Sequence, residues 1–307
     1  MASLQSTILQ FWLRRQNLFG AEKYDPLSLR MRIEHTAGKF KPHRNVQIIP
    51  VYAGGVPAEW LIPNSAPLDR ALLYIHGGAW FMGSTRTHRG FVSNLAYASG
   101  IRVLSINYRL APEYPFPAGL EDCITAYEWL LNFGISPNKI VVAGDSAGGN
   151  LTLALLVALR EAGKSLPAGA VALSPATDLA ITGESHKTHA HLDPFFANMG
   201  PNTIIKDYIT DNDPHHPLIS PLFADLNGLP PLLIHVGDHE TLLDDAVRFG
   251  NRATASGVDA KVVVWPGMFH VFQIFGPILP EAQLAIDQIA KFIQSRLNNS
   301  PANARIC

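Results

Sequence analysis

A serine flanked by glycines is the first feature of this sequence that could do chemistry. Residues 144–148 read Gly-Asp-Ser-Ala-Gly, a G-x-S-x-G motif centred on Ser146. The motif follows an apolar run at 140–143 and precedes a helical pattern at 148–156. A sharp turn from strand to helix exposes a serine hydroxyl, and the start of a helix favours negative charge nearby. The pattern therefore predicts that Ser146 is a nucleophile.

A glycine-rich loop upstream could supply the backbone groups that such a nucleophile needs. Residues 76–80 read His-Gly-Gly-Ala-Trp and follow an apolar strand candidate. Small residues let N–H groups approach a reacting carbonyl oxygen, and several such donors stabilise a tetrahedral oxyanion. We expect the N–H groups of Gly78, Ala79 and Ala147 to form this oxyanion hole, with Gly77 as their neighbour.

A serine hydroxyl also needs a base, and the chain has twelve histidines. After a nucleophile on a strand–turn–helix, the acid and then the histidine follow along the chain. His270 fits this order, because it lies five residues after the strand candidate Ala260–Trp265 and before the last helical pattern. His239 is the rival base. His235 is interpreted as a packed strand residue, and His76 as a brace for its own loop.

The acid should follow the strand candidate at 232–236. Four carboxylates compete there, in a segment that reads Gly-Asp-His-Glu-Thr-Leu-Leu-Asp-Asp from residue 237. Asp244 and Asp245 fall in the first turn of the next helix, where they would face its positive end. Asp238 and Glu240 both lie on the loop, and the residue pattern alone does not separate them.

Alternation of strands and helices indicates how these loops are positioned. Two short strand candidates, at 46–51 and 59–62, form a hairpin around Ala-Gly-Gly. Six mostly apolar strand candidates follow, at 71–75, 102–107, 140–143, 168–173, 232–236 and 260–265. Helical patterns lie between and after them, at 91–99, 119–132, 148–162, 242–255 and 281–297. This order predicts an α/β fold with a mostly parallel sheet flanked by helices, which brings the loops to one sheet edge.

The segment at 178–230 does not follow this alternation and is rich in proline, aromatic residues and histidine. We interpret residues 179–228 as a cap insertion in a catalytic domain of residues 45–307. Residues 1–44 would form the N-terminal part of the cap. The five histidines of this segment lack cysteine partners at zinc-site spacing, so we expect no metal.

Composition excludes several functional classes. Of 307 residues, 47% are hydrophobic and 16% charged, and the formal net charge is −1. These values exclude a disordered chain, a coiled coil and the basic field that nucleic acids require. Cys123 and Cys307 cannot make a disulfide framework. We expect no membrane span and a cytoplasmic location.

The N-terminal segment has an amphipathic pattern. Its apolar residues recur near helical spacing, at Leu4, Ile8, Phe11, Trp12 and Leu18. We expect this stripe to pack on the protein's own surface rather than on a membrane.

Several motifs together resemble the hormone-sensitive-lipase-like family of microbial esterases. The resemblance runs from about residue 72 to the end, and covers the 76–79 loop, Tyr-Arg-Leu-Ala-Pro-Glu at 108–113, Phe-Pro-Ala at 116–118 with Asp122, and Gly-Asp-Ser-Ala-Gly-Gly at 144–149. It implies the α/β-hydrolase fold, with a mostly parallel eight-stranded sheet and a helical cap. The family's acid-x-Leu-x-Asp register selects Glu240 over Asp238. The family's usual third glycine is here Ala79, whose methyl group could crowd bulky alcohol groups.

The resemblance implies a serine carboxylesterase without a cofactor, acting through Ser146, His270 and Glu240. We expect short- to medium-chain acyl esters, in a pocket drawn from Trp80, Phe81, Phe195, Phe196, Met199 and Phe223. Because the base must be neutral, the rate should rise through roughly pH 6 to 7 if His270 keeps its ordinary pKa. The alternatives are an amidase or peptidase with the same triad and a non-catalytic ligand-binding protein. The edge strand near Ala260–Trp265 could form a homodimer.

Overall fold

The computed structural model describes residues 2–16, 25–37, 40–196 and 201–298. Eight strands form one sheet: β1 Val46–Ala53, β2 Val56–Pro63, β3 Ala71–Ile75, β4 Val103–Ile106, β5 Ile140–Asp145, β6 Gly169–Leu173, β7 Leu232–Gly237 and β8 Ala260–Trp265. Their order is β1-β2-β4-β3-β5-β6-β7-β8. The β1–β2 and β2–β4 pairs are antiparallel, and all others are parallel. The predicted α/β-hydrolase fold is thus confirmed.

Helices cover both faces of the sheet. Those of the described chain are α1 Leu4–Gln16, α2 Pro26–Ala37, α3 Thr85–Ser99, α4 Ala118–Asn132, α5 Ala147–Glu161, α6 Ser185–Thr188, α7 Pro201–Ile209, α8 Leu243–Ala255 and α9 Pro280–Asn298. Helices α4 and α5 pack on one face of the central strands, and α3 and α9 pack on the other. The central strands are buried on both faces, so their sequences are continuously apolar rather than alternating.

Two predicted element boundaries differ from the structure for local reasons. Helix α3 begins six residues before the apolar pattern that predicted it, because Ser84 and Thr87 form a capping box at its start. The first hairpin is longer than predicted, with eight residues in each strand. Strand β1 is an edge strand whose exposed positions carry mixed residues, so its apolar pattern ends before the strand does.

The described part of the segment at 178–230 contains α6, α7 and a short 3₁₀ turn at Pro221–Phe223, and no strand. It contacts the loop after β7, where Asp193 accepts from the Thr241 N–H at 3.0 Å. Its α7 end contacts the loop before α4, where the Phe116 N–H donates to the Tyr208 carbonyl at 2.8 Å. The segment therefore lies over the carboxyl edge of the sheet.

The expected inward packing of the N-terminal apolar stripe is wrong. Leu4, Ile8, Phe11 and Trp12 are all at least half exposed, and Leu18 lies outside the described residues. The buried side of α1 instead contains Ser6, Gln10 and Leu13. No helix in the described ranges is both long and apolar enough to cross a membrane.

Candidate active site

Ser146 lies in the turn between β5 and α5, with φ of 53° and ψ of −119°. This left-handed backbone is unusual for a residue with a side chain. It depends on close backbone packing around the turn. A Cβ on Gly148 would lie 2.1 Å from the Ile75 carbonyl oxygen, and one on Gly144 would lie 2.3 Å from the Gly148 oxygen. The glycines of the motif are therefore required by space.

The structure brings His270 and Glu240 next to Ser146. His270 follows β8, and its Nε2 is 2.9 Å from Ser146 Oγ. Its Nδ1 is 2.9 Å from Glu240 Oε2, on the loop after β7. His270 is only 7% exposed and Glu240 is fully buried. These distances allow a proton to move from serine to imidazole while the carboxylate holds the ring.

The other three carboxylates of the acid loop have separate partners. Asp238 Oδ1 accepts from the Gly267 N–H at 2.5 Å. Asp244 Oδ2 accepts from the Ser185 N–H at 2.9 Å. Asp245 is 1% exposed and accepts from the N–H groups of Thr177 and Asp178. Asp244 and Asp245 thus hold the segment that carries α6. The sequence predicted only that they would lie at the start of α8, and it did not predict these contacts.

Burial and mutual charge set the protonation of the His270–Glu240 pair. Burial raises the pKa of Glu240 above its ordinary value. Burial also opposes charge on His270, but the hydrogen bond and the charge of Glu240 outweigh it and raise the pKa of His270. The imidazolium formed during proton transfer is therefore favoured here.

The loop after β3 places free backbone donors beside Ser146. Gly78, Ala79 and Trp80 all have positive φ, of 124°, 50° and 60°. In the described chain, the N–H groups of Gly78, Ala79 and Ala147 have no hydrogen-bond acceptor. The Gly77 N–H is different, because it donates to Asp145 Oδ1 at 3.0 Å. Gly77 is therefore a neighbour of the three available donors.

Asp145 is a functional candidate that the sequence analysis missed. Besides the Gly77 N–H, its Oδ1 accepts from the Tyr74 hydroxyl at 2.5 Å, and its Oδ2 is 3.3 Å from His88 Nε2. Burial alone would raise the pKa of Asp145, but His88 and Tyr74 outweigh burial and lower it. Asp145 thus joins the serine turn to the glycine-rich loop. Its partners lie 57 to 71 residues away in the chain, so no local pattern reveals them.

The histidines considered as rivals have other positions. His76 Nδ1 is 2.8 Å from the Gly77 carbonyl oxygen, and the ring stacks on Tyr108 at 4.4 Å. His235 is fully buried in β7. His239 Nδ1 is 3.2 Å from Gln10 Oε1 on α1. Ser146 thus has its hydrogen bond with His270 and not with these rings.

A mainly apolar cavity of about 180 Å³ opens beside Ser146. Its apolar lining includes Ala79, Trp80, Leu179, Phe196, Ile205 and Leu242. The ring of Trp80 stacks on Tyr208 of α7 at 4.6 Å. The cavity therefore lies between the loop after β3 and the 178–230 segment.

Only part of the predicted aromatic lining is correct. Trp80 and Phe196 line the cavity. Phe81 packs against α2, Phe195 lies 6.1 Å from the ring of Phe269, and Phe223 lies 4.8 Å from that of His215. Met199 lies outside the described residues. In the described ranges, no three His, Cys, Asp or Glu side chains are grouped to hold a metal ion.

Comparison with known proteins places this geometry in context. A family model for the alpha/beta hydrolase fold matches residues 72–274. An acetyl-hydrolase of Streptomyces hygroscopicus is 43% identical over 245 residues, 80% of this chain and 82% of that protein. An esterase of Acinetobacter venetianus is 38% identical over 271 residues, 88% of this chain and 89% of that protein.

Solved structures give the same result over nearly the whole chain. An esterase from the bacterial hormone-sensitive lipase family superposes with a TM-score of 0.92 at 44% identity, covering 97% of this chain and 99% of that chain. An esterase/lipase from an uncultured bacterium superposes with a TM-score of 0.93 at 40% identity, covering 97% and 100%. The similarity thus includes the N-terminal helices that the family model does not match.

Proposed function

The chain belongs to the α/β-hydrolase family and is a carboxylic ester hydrolase similar to bacterial hormone-sensitive-lipase-family esterases; on that premise we propose that it is a serine esterase acting through an acyl-enzyme. Ser146 attacks the ester carbonyl while His270 accepts the hydroxyl proton. His270 returns that proton to the leaving alcohol, and water then releases the acid by the reverse proton path. Glu240 holds the ring and stabilises the imidazolium.

The observation that best supports this proposal is the continuous hydrogen-bonded series from Ser146 through His270 to Glu240. Ser146 Oγ is 2.9 Å from His270 Nε2, and His270 Nδ1 is 2.9 Å from Glu240 Oε2. The N–H groups of Gly78, Ala79 and Ala147 complete the proposal as oxyanion donors. A donor of this kind contributes about 10²–10³-fold to kcat in serine hydrolases. No step of this mechanism requires a cofactor.

The proposed substrates are acyl esters of short to medium chain. The cavity beside Ser146 holds about 180 Å³, below the ~300–1,000 Å³ typical of sites for drug-sized ligands. Its lining is mainly apolar, which suits the hydrocarbon part of an acyl group. The end of a long acyl chain would extend beyond this cavity.

Hydrolysis of p-nitrophenyl esters from acetate to palmitate tests the proposal, with Ser146→Ala as the matched variant. We expect high kcat/KM on the short and medium esters, low kcat/KM on palmitate, and a loss of about 10⁴-fold or more in Ser146→Ala. Matched p-nitroanilides test the amidase alternative. Equal rates for wild type and Ser146→Ala, or faster cleavage of the anilides, would contradict the proposal.

A further inference from the structure

Helix α1 carries an apolar stripe that faces away from the protein. Leu4, Ile8, Phe11 and Trp12 are 73%, 60%, 59% and 50% exposed. Their spacing of four, three and one residues places them on one side of the helix. Isolated exposed apolar residues are common, but four on one helix face form a continuous patch.

The direction of this stripe is fixed by polar contacts on the opposite side of α1. The Gln10 side chain donates to the Gly267 carbonyl oxygen at 2.9 Å, and its Oε1 is 3.2 Å from His239 Nδ1. Ser3 donates twice to Glu281, at 2.6 and 2.9 Å. Turning the stripe inward would break all four hydrogen bonds. The apolar side is therefore outward in the folded chain.

Charge around the stripe indicates what it binds. Helix α1 reads LQSTILQFWLRRQ, so its last turn has Arg14 and Arg15 and it contains no acidic residue. Arg14 donates to the Leu192 carbonyl oxygen at 2.8 Å, whereas Arg15 lies beside the stripe. The Arg15 guanidinium lies 4.5 Å from the centre of the Phe11 ring. Aromatic and aliphatic residues combined with arginines are typical of helices that lie in the headgroup region of a bilayer.

We propose that α1 docks this protein on an anionic lipid surface. The apolar stripe enters the boundary between headgroups and acyl chains, and Arg15, beside Phe11, contacts a lipid phosphate. A second copy that paired α1 with α1 would offer no carboxylate to Arg15, because α1 contains no acidic residue. This proposal concerns where the protein binds, and it does not depend on which ester the protein cleaves.

The position of α1 connects this surface to the candidate active site. Gly267 and His239, which Gln10 contacts, lie on the loops that carry His270 and Glu240. Docking would therefore hold these loops against a phase in which apolar esters concentrate.

Binding to unilamellar vesicles tests the proposal. The purified full chain is titrated with vesicles of phosphatidylcholine alone, or of an equal mixture with phosphatidylglycerol, and bound protein is measured by sedimentation. We expect binding to the anionic vesicles and a roughly tenfold or greater loss in Leu4→Ser/Phe11→Ser. Arg15→Gln should reduce the preference for anionic vesicles.

A matched control removes equally exposed apolar side chains elsewhere. Leu68 and Tyr52 are 75% and 71% exposed, and Leu68→Ser/Tyr52→Ser should bind vesicles like the wild type. Equal loss in both double variants, or no binding by the wild type, would overturn the proposal. So would vesicle binding that is unchanged by the α1 substitutions, or a concentration-dependent dimer that they abolish in place of vesicle binding.

Fluorescence of the intact protein gives a second readout, which does not require the double variant to fold. We expect a blue shift on adding anionic vesicles that is absent in Trp12→Phe, while Trp12→Phe still sediments with them. A shift that persists without Trp12 would place the contact elsewhere and contradict docking through α1. Hydrolysis of p-nitrophenyl acetate without vesicles separates this result from the proposed function, because it depends on Ser146 and not on docking.

Discussion

The two carboxylate oxygens of Glu240 have different partners. Oε2 faces His270, whereas Oε1 accepts from the Gly237 N–H at 2.5 Å and the Ser174 hydroxyl at 2.8 Å. Ser174 Oγ in turn accepts from the Val271 N–H at 3.2 Å. This serine, at the end of β6, thus connects the acid loop to the loop of the base. A charged acceptor held by several donors keeps a fixed orientation, which a triad acid requires.

The pH dependence of activity should identify the acid. His270 must be neutral to act as base, and its pKa is raised above 6.5, so kcat/KM should rise with pH through a midpoint above 6.5. This is higher than expected for a histidine with its ordinary pKa. In Glu240→Gln, burial remains without its charged partner, so the midpoint should move down and kcat should fall by about 10³–10⁴-fold.

Asp238→Asn is the matched control for this profile, measured on p-nitrophenyl acetate from about pH 5 to about pH 9. It removes the other loop carboxylate that the sequence offered as the triad acid. In the structure that carboxylate accepts from the Gly267 N–H and not from His270. Its midpoint should equal that of the wild type. A shift in Asp238→Asn with none in Glu240→Gln would reverse the assignment.

Asp145 should affect catalysis without touching the substrate, as a positioning residue. Asp145→Asn weakens the charged link to His88 and to the loop that begins at Gly77. We expect kcat to fall about 10- to 100-fold with little change in KM, because the oxyanion donors lose their support. Asp122→Asn is the control, since Asp122 is also nearly buried and bound to Arg109. A similar fall in kcat in both variants would indicate general destabilisation.

At the scale of elements, the contact between the serine turn and β3 depends on the absence of a side chain at Gly148. We expect Gly148→Ala to lower the free energy of unfolding by about 3 kcal/mol or more, because its Cβ would meet the Ile75 carbonyl oxygen at 2.1 Å. Gly134→Ala is the control, with open space but φ of +93°, and should cost about 1 kcal/mol. Urea unfolding measures both. Equal losses in the two variants would contradict the argument that space is what requires glycine at position 148.

Most of the sheet could be predicted from sequence, because the buried strands are short apolar runs between turn signals. The G-x-S-x-G segment predicted its own strand, turn and helix in the same way. Links between loops could not be predicted, since Ser174 and Glu240 are 66 residues apart and neither has a local signature for the other. The direction of α1 was also beyond sequence reasoning. An apolar stripe shows that a helix has two sides, but not which side the rest of the fold contacts.

At the scale of the whole molecule, β8 is the strand at one edge of the sheet, and no strand of the described residues pairs with its outer side. We propose that β8 pairs with its copy in a homodimer. Val264→Lys, at a position 41% exposed on β8, should yield a monomer in sedimentation velocity runs. Ile49→Lys is the control on the opposite edge strand β1, where Ile49 is 38% exposed, and should remain dimeric. A wild type that stays monomeric at micromolar concentration would end this proposal.

The hydrogen bonds between Ser3 and Glu281 have a consequence for biosynthesis. These partners are 278 residues apart, so α1 leaves the ribosome long before the strand, loop and helix that receive it. At about 5–20 residues per second the delay is about 15–55 seconds. Throughout most of that time the loop of His270, which Gln10 of α1 contacts in the folded chain, has not yet been synthesised. The proposed active site therefore cannot form before residue 270 has been synthesised, and until then α1 lacks the surface that it packs against in the folded chain.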